Sequence, residues 1–255
     1  MKALPGEFLS RMQAELKGDY AAFLESYNNE SVRGLRANTL KGNADAIAAL
    51  CPVKLERVDN TADGFRLMEA WEGVGLSPVH MAGLIYMQEP SAMLTIAIAD
   101  IHPGMKVLDL CAAPGGKSFA LAMEMKNEGS VTSCDIHAHK ISLIEKGAAR
   151  LGISIITARE ADASKFQEEF KDGFDVVVAD VPCSGLGVIR KKPDIRYKDL
   201  APAERLPAVQ AAILENVSRY VKPGGALLYS TCTVLKRENE DVANAFLARH
   251  PAFHL

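Results

Sequence analysis

Two cysteines stand where a thiol could do covalent work. Cys183 lies in the run Asp180-Val181-Pro182-Cys183-Ser184-Gly185 and Cys232 in Ser230-Thr231-Cys232-Thr233, each just after an apolar run that reads as a β-strand. A single free cysteine is more often inert packing than a nucleophile. Two of them at the mouths of neighbouring strands, with Asp180 close by, fit a reaction that needs no metal: methylation of a pyrimidine at carbon 5. That carbon of cytosine is a poor nucleophile until a thiolate adds to carbon 6 and makes the ring enamine-like. Asp180 would supply or orient a proton at nitrogen 3, where charge builds. The other thiol would aid expulsion of the first once the carbon 5 proton has left. To reach such a pocket the base must be unpaired or flipped. The residues alone leave open which cysteine attacks.

The chemistry needs a methyl donor, and a loop for one follows the first strand of the larger domain: Asp109-Leu110-Cys111-Ala112-Ala113-Pro114-Gly115-Gly116-Lys117-Ser118. Adjacent glycines let backbone N–H groups approach a ligand at a helix N-terminus. A phosphate loop would match at Gly116, Lys117 and Ser118 but requires glycine where Cys111 stands, and the dinucleotide fingerprint does not match. S-adenosylmethionine is the third reading. It needs a tight glycine turn after strand one, an acid after strand two for the ribose hydroxyls, and a polar residue after strand three for the adenine. Cys111, Ala112, Ala113, Pro114, Gly115, Gly116 and Lys117 would form the turn, Asp135 the ribose acceptor and Asp162 the adenine contact. Either carboxylate could instead be a helix N-cap.

These residues require strands to hold them. From about Val107 the chain alternates β-branched runs with helix-period segments. Strands are predicted at Val107–Leu110, Val131–Cys134, Ile153–Thr157, Phe174–Ala179 and Ala226–Ser230. Helices are predicted over Lys117–Lys126, through Ile141, Ile144, Ala148 and Leu151, and through Leu206, Val209, Ile213, Val217 and Tyr220, the last of these ending at Lys222-Pro223-Gly224-Gly225. Such alternation means a mostly parallel sheet in a doubly wound, Rossmann-like α/β domain, here residues 81–255. Ligands of such sheets bind at the carboxyl ends of the strands, where strand order reverses. Residues 1–80 read as a small α+β module: helices Pro5–Leu16, Tyr20–Tyr27 and Ala44–Leu50, with strands near Gly34–Leu40, Val53–Val58 and Phe65–Met68. Gly73 to Pro78 reads as a connecting loop, and Ala92 to Ala99 as a buried helix.

The chain's 255 residues, 48% hydrophobic and 24% charged, exclude a disordered or fibrous protein. Its net charge of −3 means that any nucleic acid must be held by a local basic patch. Five scattered cysteines without a C-x-x-C pair indicate neither a disulfide framework nor a zinc site, and His137 and His139 read as surface residues, so no metal is expected. A start without a secretory leader and the lack of a roughly 20-residue apolar run point to a cytoplasmic protein outside membranes.

Taken together, Asp109 to Lys117, Asp180 to Gly185 and Ser230 to Thr233 resemble the motifs of the two-cysteine RNA cytosine-5 methyltransferases, the NSUN/RsmB/RsmF group. The stretch from Leu186 to Arg196 resembles the RsmB type, while Leu4 to Tyr27 and Gly34 to Leu40 look more like the RsmF type. The resemblance implies S-adenosylmethionine as donor and ribosomal RNA, 16S foremost, as acceptor, within a pre-ribosomal particle. It makes Cys232 the nucleophile, gives Cys183 the release of product, and sets Asp180 beside them. It implies an RNA-recognition-like fold for the N-terminal module. It also implies a further strand pair after the last helix, whereas the chain stops at Leu255, so a sheet lacking those strands, or closed differently, is expected.

RNA contact has its own support in the residues. Arg190, Lys191, Lys192, Arg196 and Lys198 crowd around one acid, Asp194, directly after the Cys183 turn, where a flipped strand would pass. Arg36 and Asn38, with Arg33, form a second candidate patch. Two other classes remain open at this point: a phosphate-loop nucleotidase, and a non-catalytic RNA-binding assembly factor that keeps a donor site.

Overall fold

The structure, a computed structural model, describes residues 4–29, 31–197 and 199–255, so the candidate RNA contact Lys198 lies outside the described residues. Two compact units result: one of Val32–Val181 with Ile213–Ser230, the other of Met1–Ser31, Pro182–Ala212 and Thr231–Leu255.

The first unit holds two sheets. The smaller is built by β1 (Gly34–Ala37), α3 (Ala44–Ala49), β2 (Leu55–Arg57), β3 (Gly64–Leu67), α4 (Pro78–Met81) and β4 (Ile85–Met87). Its order is β2-β3-β1-β4, all antiparallel, which is the split β-α-β-β-α-β arrangement. Leu35, Ala37, Ile47, Phe65, Leu67, Trp71 and Ile85 form its core. The expected break at residue 80 therefore falls ahead of the module's last strand. β4 is three residues long and has no alternating pattern of its own; pairing with β1 makes it a strand. The small sheet docks through polar groups on the backbone of the next domain. Asn38 donates to Gly83 O and Leu151 O, and Lys41 to Ala82 O and Arg150 O. Arg150 in turn donates to His80 O and Ile85 O.

The larger sheet is fully parallel, with β5 (Lys106–Leu110), β6 (Ser130–Asp135), β7 (Ile156–Glu160), β8 (Phe174–Asp180) and β9 (Val221–Ser230) in the order β7-β6-β5-β8-β9. Order reverses beside β5, between β6 on one flank and β8 on the other. Helices α5 (Pro90–Ala97), α6 (Gly116–Glu124) and α7 (Ala138–Leu151) belong to this layer, and Val107, Leu121, Met125, Val131, Ile144 and Val176 are among its core. Three of the five expected strands, β5, β6 and β8, match their predicted bounds to within one residue. β7 begins three residues later than expected because Ile153 serves the helix before it. Gly152, at φ 75°, ends α7, and the N–H groups of Gly152 and Ile153 donate to Ala149 O and Ala148 O. That is a Schellman cap, and the buried Ile153 is its apolar residue. β9 starts earlier than expected because Lys222-Pro223-Gly224-Gly225 is taken up in an irregularity of its pairing with β8. The expected buried helix, α5, is buried on one side only: Met93 and Ile96 are inside while Ile98 is 81% exposed. β9 is one of the two edge strands, its Leu227, Leu228 and Tyr229 half-buried.

In the second unit α1 (Gly6–Leu16) and α2 (Tyr20–Ser26), both expected, are joined by a 3-10 turn at Lys17–Asp19. Phe8 and Met12 pack with Leu186, Ile189, Ile195 and Leu235. The first half of α8 (Leu206–Val217) and all of α9 (Glu240–Arg249) complete it. No helix among the described residues is long and apolar enough to cross a membrane.

Candidate active site

The loop after β5 does what its glycines predict. Gly115 takes φ 106° and caps α6, and a Cβ there would lie 2.5 Å from Phe119 Cζ, so only glycine permits the turn and the ring beneath it. Cys111 also adopts positive φ, at 68°, an uncommon conformation for a residue with a side chain. Around this turn lies an open cleft of about 530 Å³ lined by Cys111, Ala112, Ala113, Pro114, Gly116, Lys117, Asp109, Asp180 and residues of the β4–α5 connection, Gln88 among them.

The electrostatics of the cleft select its ligand. Lys117 Nζ donates to Asp180 Oδ2 at 2.6 Å, and Ser230 Oγ donates to Asp180 Oδ1 at 2.8 Å. The lysine is thereby matched by one carboxylate of the lining, and Asp109 adds a second carboxyl. Asp109 is fully buried, accepts from Ser118 Oγ at 2.5 Å, and has no hydrogen-bond partner for its other oxygen among the described residues. Burial pushes its carboxyl up to about 7, against the pull of Ser118 and Lys117, with Asp180 and Asp135 raising it further. The one lysine of the lining is already engaged by Asp180, so the cleft offers a polyphosphate no unpaired cation among its lining residues. A sulfonium carrying an ammonium group and ribose hydroxyls would find acceptors, so the residues present fit S-adenosylmethionine.

Asp135, at the end of β6, is 5% exposed. Its Oδ2 accepts from Ala113 N–H at 3.3 Å and its Oδ1 from His137 N–H at 3.0 Å, so it ties the glycine loop to the second strand and holds a carboxylate ready at that corner. Asp162 is half-buried and turned to its own chain: Oδ1 accepts from Ser164 N–H and Ser164 Oγ, and these bonds hold its carboxyl below the usual range. It closes a turn, and no helix follows for it to cap.

The second unit brings the two cysteines together. Cys183 Sγ and Cys232 Sγ are 2.9 Å apart, and Cys232 N–H donates to Cys183 Sγ at 3.2 Å. Cys232 is exposed and Cys183 half-buried. The hydrogen bond to Cys232, burial, and the neighbouring sulfur raise the Cys183 thiol against the pull of the Cys232 N–H, and either sulfur can be the S–H donor to the other. Ser184 Oγ and Thr233 Oγ, 2.8 Å apart, link the two loops once more.

The two basic patches fare differently. Lys191 and Lys192 are exposed, Arg196 is half-buried, and Arg190 donates to Ser26 O at 2.6 Å while remaining half-buried. Arg36 and Asn38 do not form a surface patch. Arg36 is 1% exposed, with its guanidinium donating to Asp63 Oδ1, Gln88 Oε1 and Met93 O, and Asn38 is fully buried in the docking bonds described above. Both were expected at the surface because a charged or amide side chain usually is; here long-range partners bury them. Residues that the sequence reading did not single out include Gln88, which lines the cleft, and Gln210 and Glu238, buried behind Cys183. For Asp109 a signal was present, since it directly precedes the glycine loop. Among the described residues no three His, Cys, Asp or Glu side chains are grouped to hold a metal ion, and the His137 and His139 rings lie 5.5 Å apart.

Comparison with known proteins places this geometry in context. Residues 96–255 match the family described as 16S rRNA methyltransferase RsmB/F, and residues 4–90 match the N-terminal domain of 16S rRNA methyltransferase RsmF. The chain is 42% identical over 225 residues to the probable ribosomal RNA small subunit methyltransferase B of Bacillus subtilis, covering 86% of this chain and 50% of that protein. It is 32% identical over 258 residues to ribosomal RNA small subunit methyltransferase F of an Enterobacter species, covering 97% of this chain and 54% of the other. The chain thus spans about half the length of the curated relatives it matches. Among solved structures, that of PH0851 superposes with a TM-score of 0.91 at 31% identity, covering 97% of this chain and 57% of that one.

Proposed function

Because the chain belongs to the RsmB/F family of 16S rRNA methyltransferases, we propose that it methylates carbon 5 of a cytosine in RNA, 16S rRNA foremost, with S-adenosylmethionine as donor. The observation that carries this reading is the pair of sulfurs 2.9 Å apart, since one thiol can add to a pyrimidine ring while the other stands close enough to serve its release.

In this reading Cys232 gives up its proton to water and attacks as a thiolate. The Cys232 sulfur adds to carbon 6, and the ring electrons move toward carbon 5. A proton supplied or oriented by Asp180 meets the charge at nitrogen 3. When bound, S-adenosylmethionine supplies an electrophilic methyl group for carbon 5. Cys232 is then a neutral thioether. Cys183 releases its proton to water and takes the proton of carbon 5. The electrons of that C–H bond restore the C5=C6 double bond, the C6–S bond breaks, and Cys232 leaves as a thiolate. The glycine loop at Gly115 and Gly116, with Asp109 and Asp135, would hold the donor, and Asp162 remains the candidate for the adenine.

Exposed Lys191 and Lys192 support phosphate contact at the turn after Cys183. The small sheet has the topology of RNA-recognition folds, but its Phe65 and the Tyr86 of β4 are buried, so it lacks the stacked aromatic platform of such domains at those positions. The working compartment in this reading is the cytoplasm, where free thiols persist, with a pre-ribosomal particle as the substrate.

The test uses purified protein, donor labelled in its methyl group, and unmodified 16S rRNA. Label should enter cytosine at carbon 5, Cys232→Ala should abolish transfer, and Cys183→Ala should leave protein bound covalently to RNA. Full activity of Cys232→Ala would refute the mechanism. Binding of donor and RNA without turnover would favour an assembly factor instead.

A further inference from the structure

Gln210 and Glu238 are both 0% exposed, yet each is polar, and together they bracket Cys183. Gln210 Nε2 donates to Pro182 O at 2.9 Å and to Glu238 Oε2 at 2.9 Å. The same Glu238 oxygen accepts from Ser184 N–H at 2.9 Å. A closed circuit results: the residue before Cys183 is held through its carbonyl, the residue after it through its amide, and one amide-carboxylate pair joins the two. Burying such groups costs free energy that an apolar pair of similar size would not incur. The pair also serves the Pro182 carbonyl and the Ser184 amide, so a structural role and a positioning role must be told apart by readouts of the separate reaction steps.

The circuit also reaches Cys232. Ser184 Oγ bonds Thr233 Oγ, the Gly187 N–H donates to Cys232 O at 3.1 Å, and a Cβ at Gly187 would stand 2.8 Å from that oxygen. The two cysteine loops are thus stitched at several points, and the clamp of Gln210 and Glu238 is the part that grips the Cys183 side. Only a side chain with two N–H groups can serve both Pro182 O and Glu238, which is what glutamine offers at position 210.

We propose that Gln210 and Glu238 are positioning residues that fix where the Cys183 sulfur stands relative to Cys232 for the step that frees the methylated RNA. The assignment rests on the reading given above, in which Cys183 takes the carbon 5 proton. Neither side chain touches substrate. Misplacing a reacting group by about 1 Å costs on the order of a hundredfold in rate. The clamp's loss should therefore slow release and leave the first addition and the methyl transfer nearly intact.

The experiment compares Gln210→Met and Glu238→Gln with Cys183→Ala in the full chain, on unmodified 16S rRNA transcribed in vitro, below the melting temperature of each variant. Single-turnover methyl transfer, steady-state turnover and covalent protein–RNA adduct on denaturing gels are read together. The expected result is one methyl transferred per protein at a rate within about threefold of the wild type. Steady-state turnover should fall by roughly ten- to a hundredfold, with adduct accumulating as in Cys183→Ala. If Cys183→Ala accumulates adduct while both clamp variants turn over like the wild type, the clamp is overturned and the reading of Cys183 stands. Loss of transfer and adduct together, in step with a lower melting temperature, also overturns it, since that is what a purely structural role gives. If Cys183→Ala itself forms no adduct, the assignment of Cys183 fails and the clamp falls with it.

Discussion

Replacing Arg36 by methionine should unfold this protein far more readily than a surface arginine could. The guanidinium is 1% exposed and makes three bonds: to Asp63 Oδ1 at 2.5 Å, Gln88 Oε1 at 2.8 Å and Met93 O at 2.8 Å. Asp63 is itself 2% exposed, so Arg36→Met strands a carboxylate away from water. Removing one partner of a buried pair costs about 3–5 kcal/mol, against about 0.5 kcal/mol for an ordinary surface change. The pH dependence has a definite sign. Burial raises the Asp63 carboxyl above its usual range even with Arg36 pulling it down. An acid raised in the folded state favours folding at low pH, and its contribution is lost as pH climbs through the folded value. Without Arg36 that value rises further, so the penalty should be largest near neutrality and shrink as pH falls toward about 4, where Asp63 can fold protonated. Urea unfolding of wild type, Arg36→Met, and Arg36→Met with Asp63→Asn, at pH 7.5 and pH 4.5, measures this. The double variant should be closer to wild type than the single one at pH 7.5. A single-variant loss under about 1 kcal/mol, or an equal loss at both pH values, would refute the reasoning and return Arg36 to the surface.

Three further outcomes are expected. Asp135→Asn removes a charged acceptor beside the glycine loop, so calorimetry with S-adenosylhomocysteine should show binding weaker by about ten- to a hundredfold; unchanged affinity would remove Asp135 from the donor site. Gly83 has φ 68°, and a Cβ there would fall 2.0 Å from Arg150 O. Gly83→Ala should therefore lower stability by about 2 kcal/mol or more in thermal melts, and a change within about 0.5 kcal/mol would mean that the small sheet is not seated on α7 as described. Replacing both Lys191 and Lys192 by alanine should reduce the salt dependence of binding to single-stranded RNA by about 0.7 per lysine, whereas an unchanged slope clears that turn of phosphate contact.

Short-range physics was readable before any coordinates. Gly115 and Gly116 after an apolar run announced a strand, a tight turn and a helix, and the parallel sheet followed from the alternation around them. Asp135 at the end of β6 was legible for the same reason. What could not be read was anything decided by a partner far along the chain. Ile153 looked like the start of a strand, but a cap on α7 claimed it. Ile85 to Met87 carried too few residues to announce a strand, and pairing with β1 made it one. Arg36 and Arg190 are the same residue type, and each stood in a candidate basic patch. Asp63, Gln88 and Met93 bury the first, and no local pattern encodes that. The same holds for Cys183 and Cys232, which are 49 residues apart. The register that sets Asp180 opposite Ser230 belongs to the assembled sheet, and Gln210 and Glu238 have meaning only once a helix and a turn close on the Cys183 loop. The chain thus carries its chemistry in residue type and local order, while burial and charge pairing, which decide what each group does, arise from contacts that only the folded molecule makes.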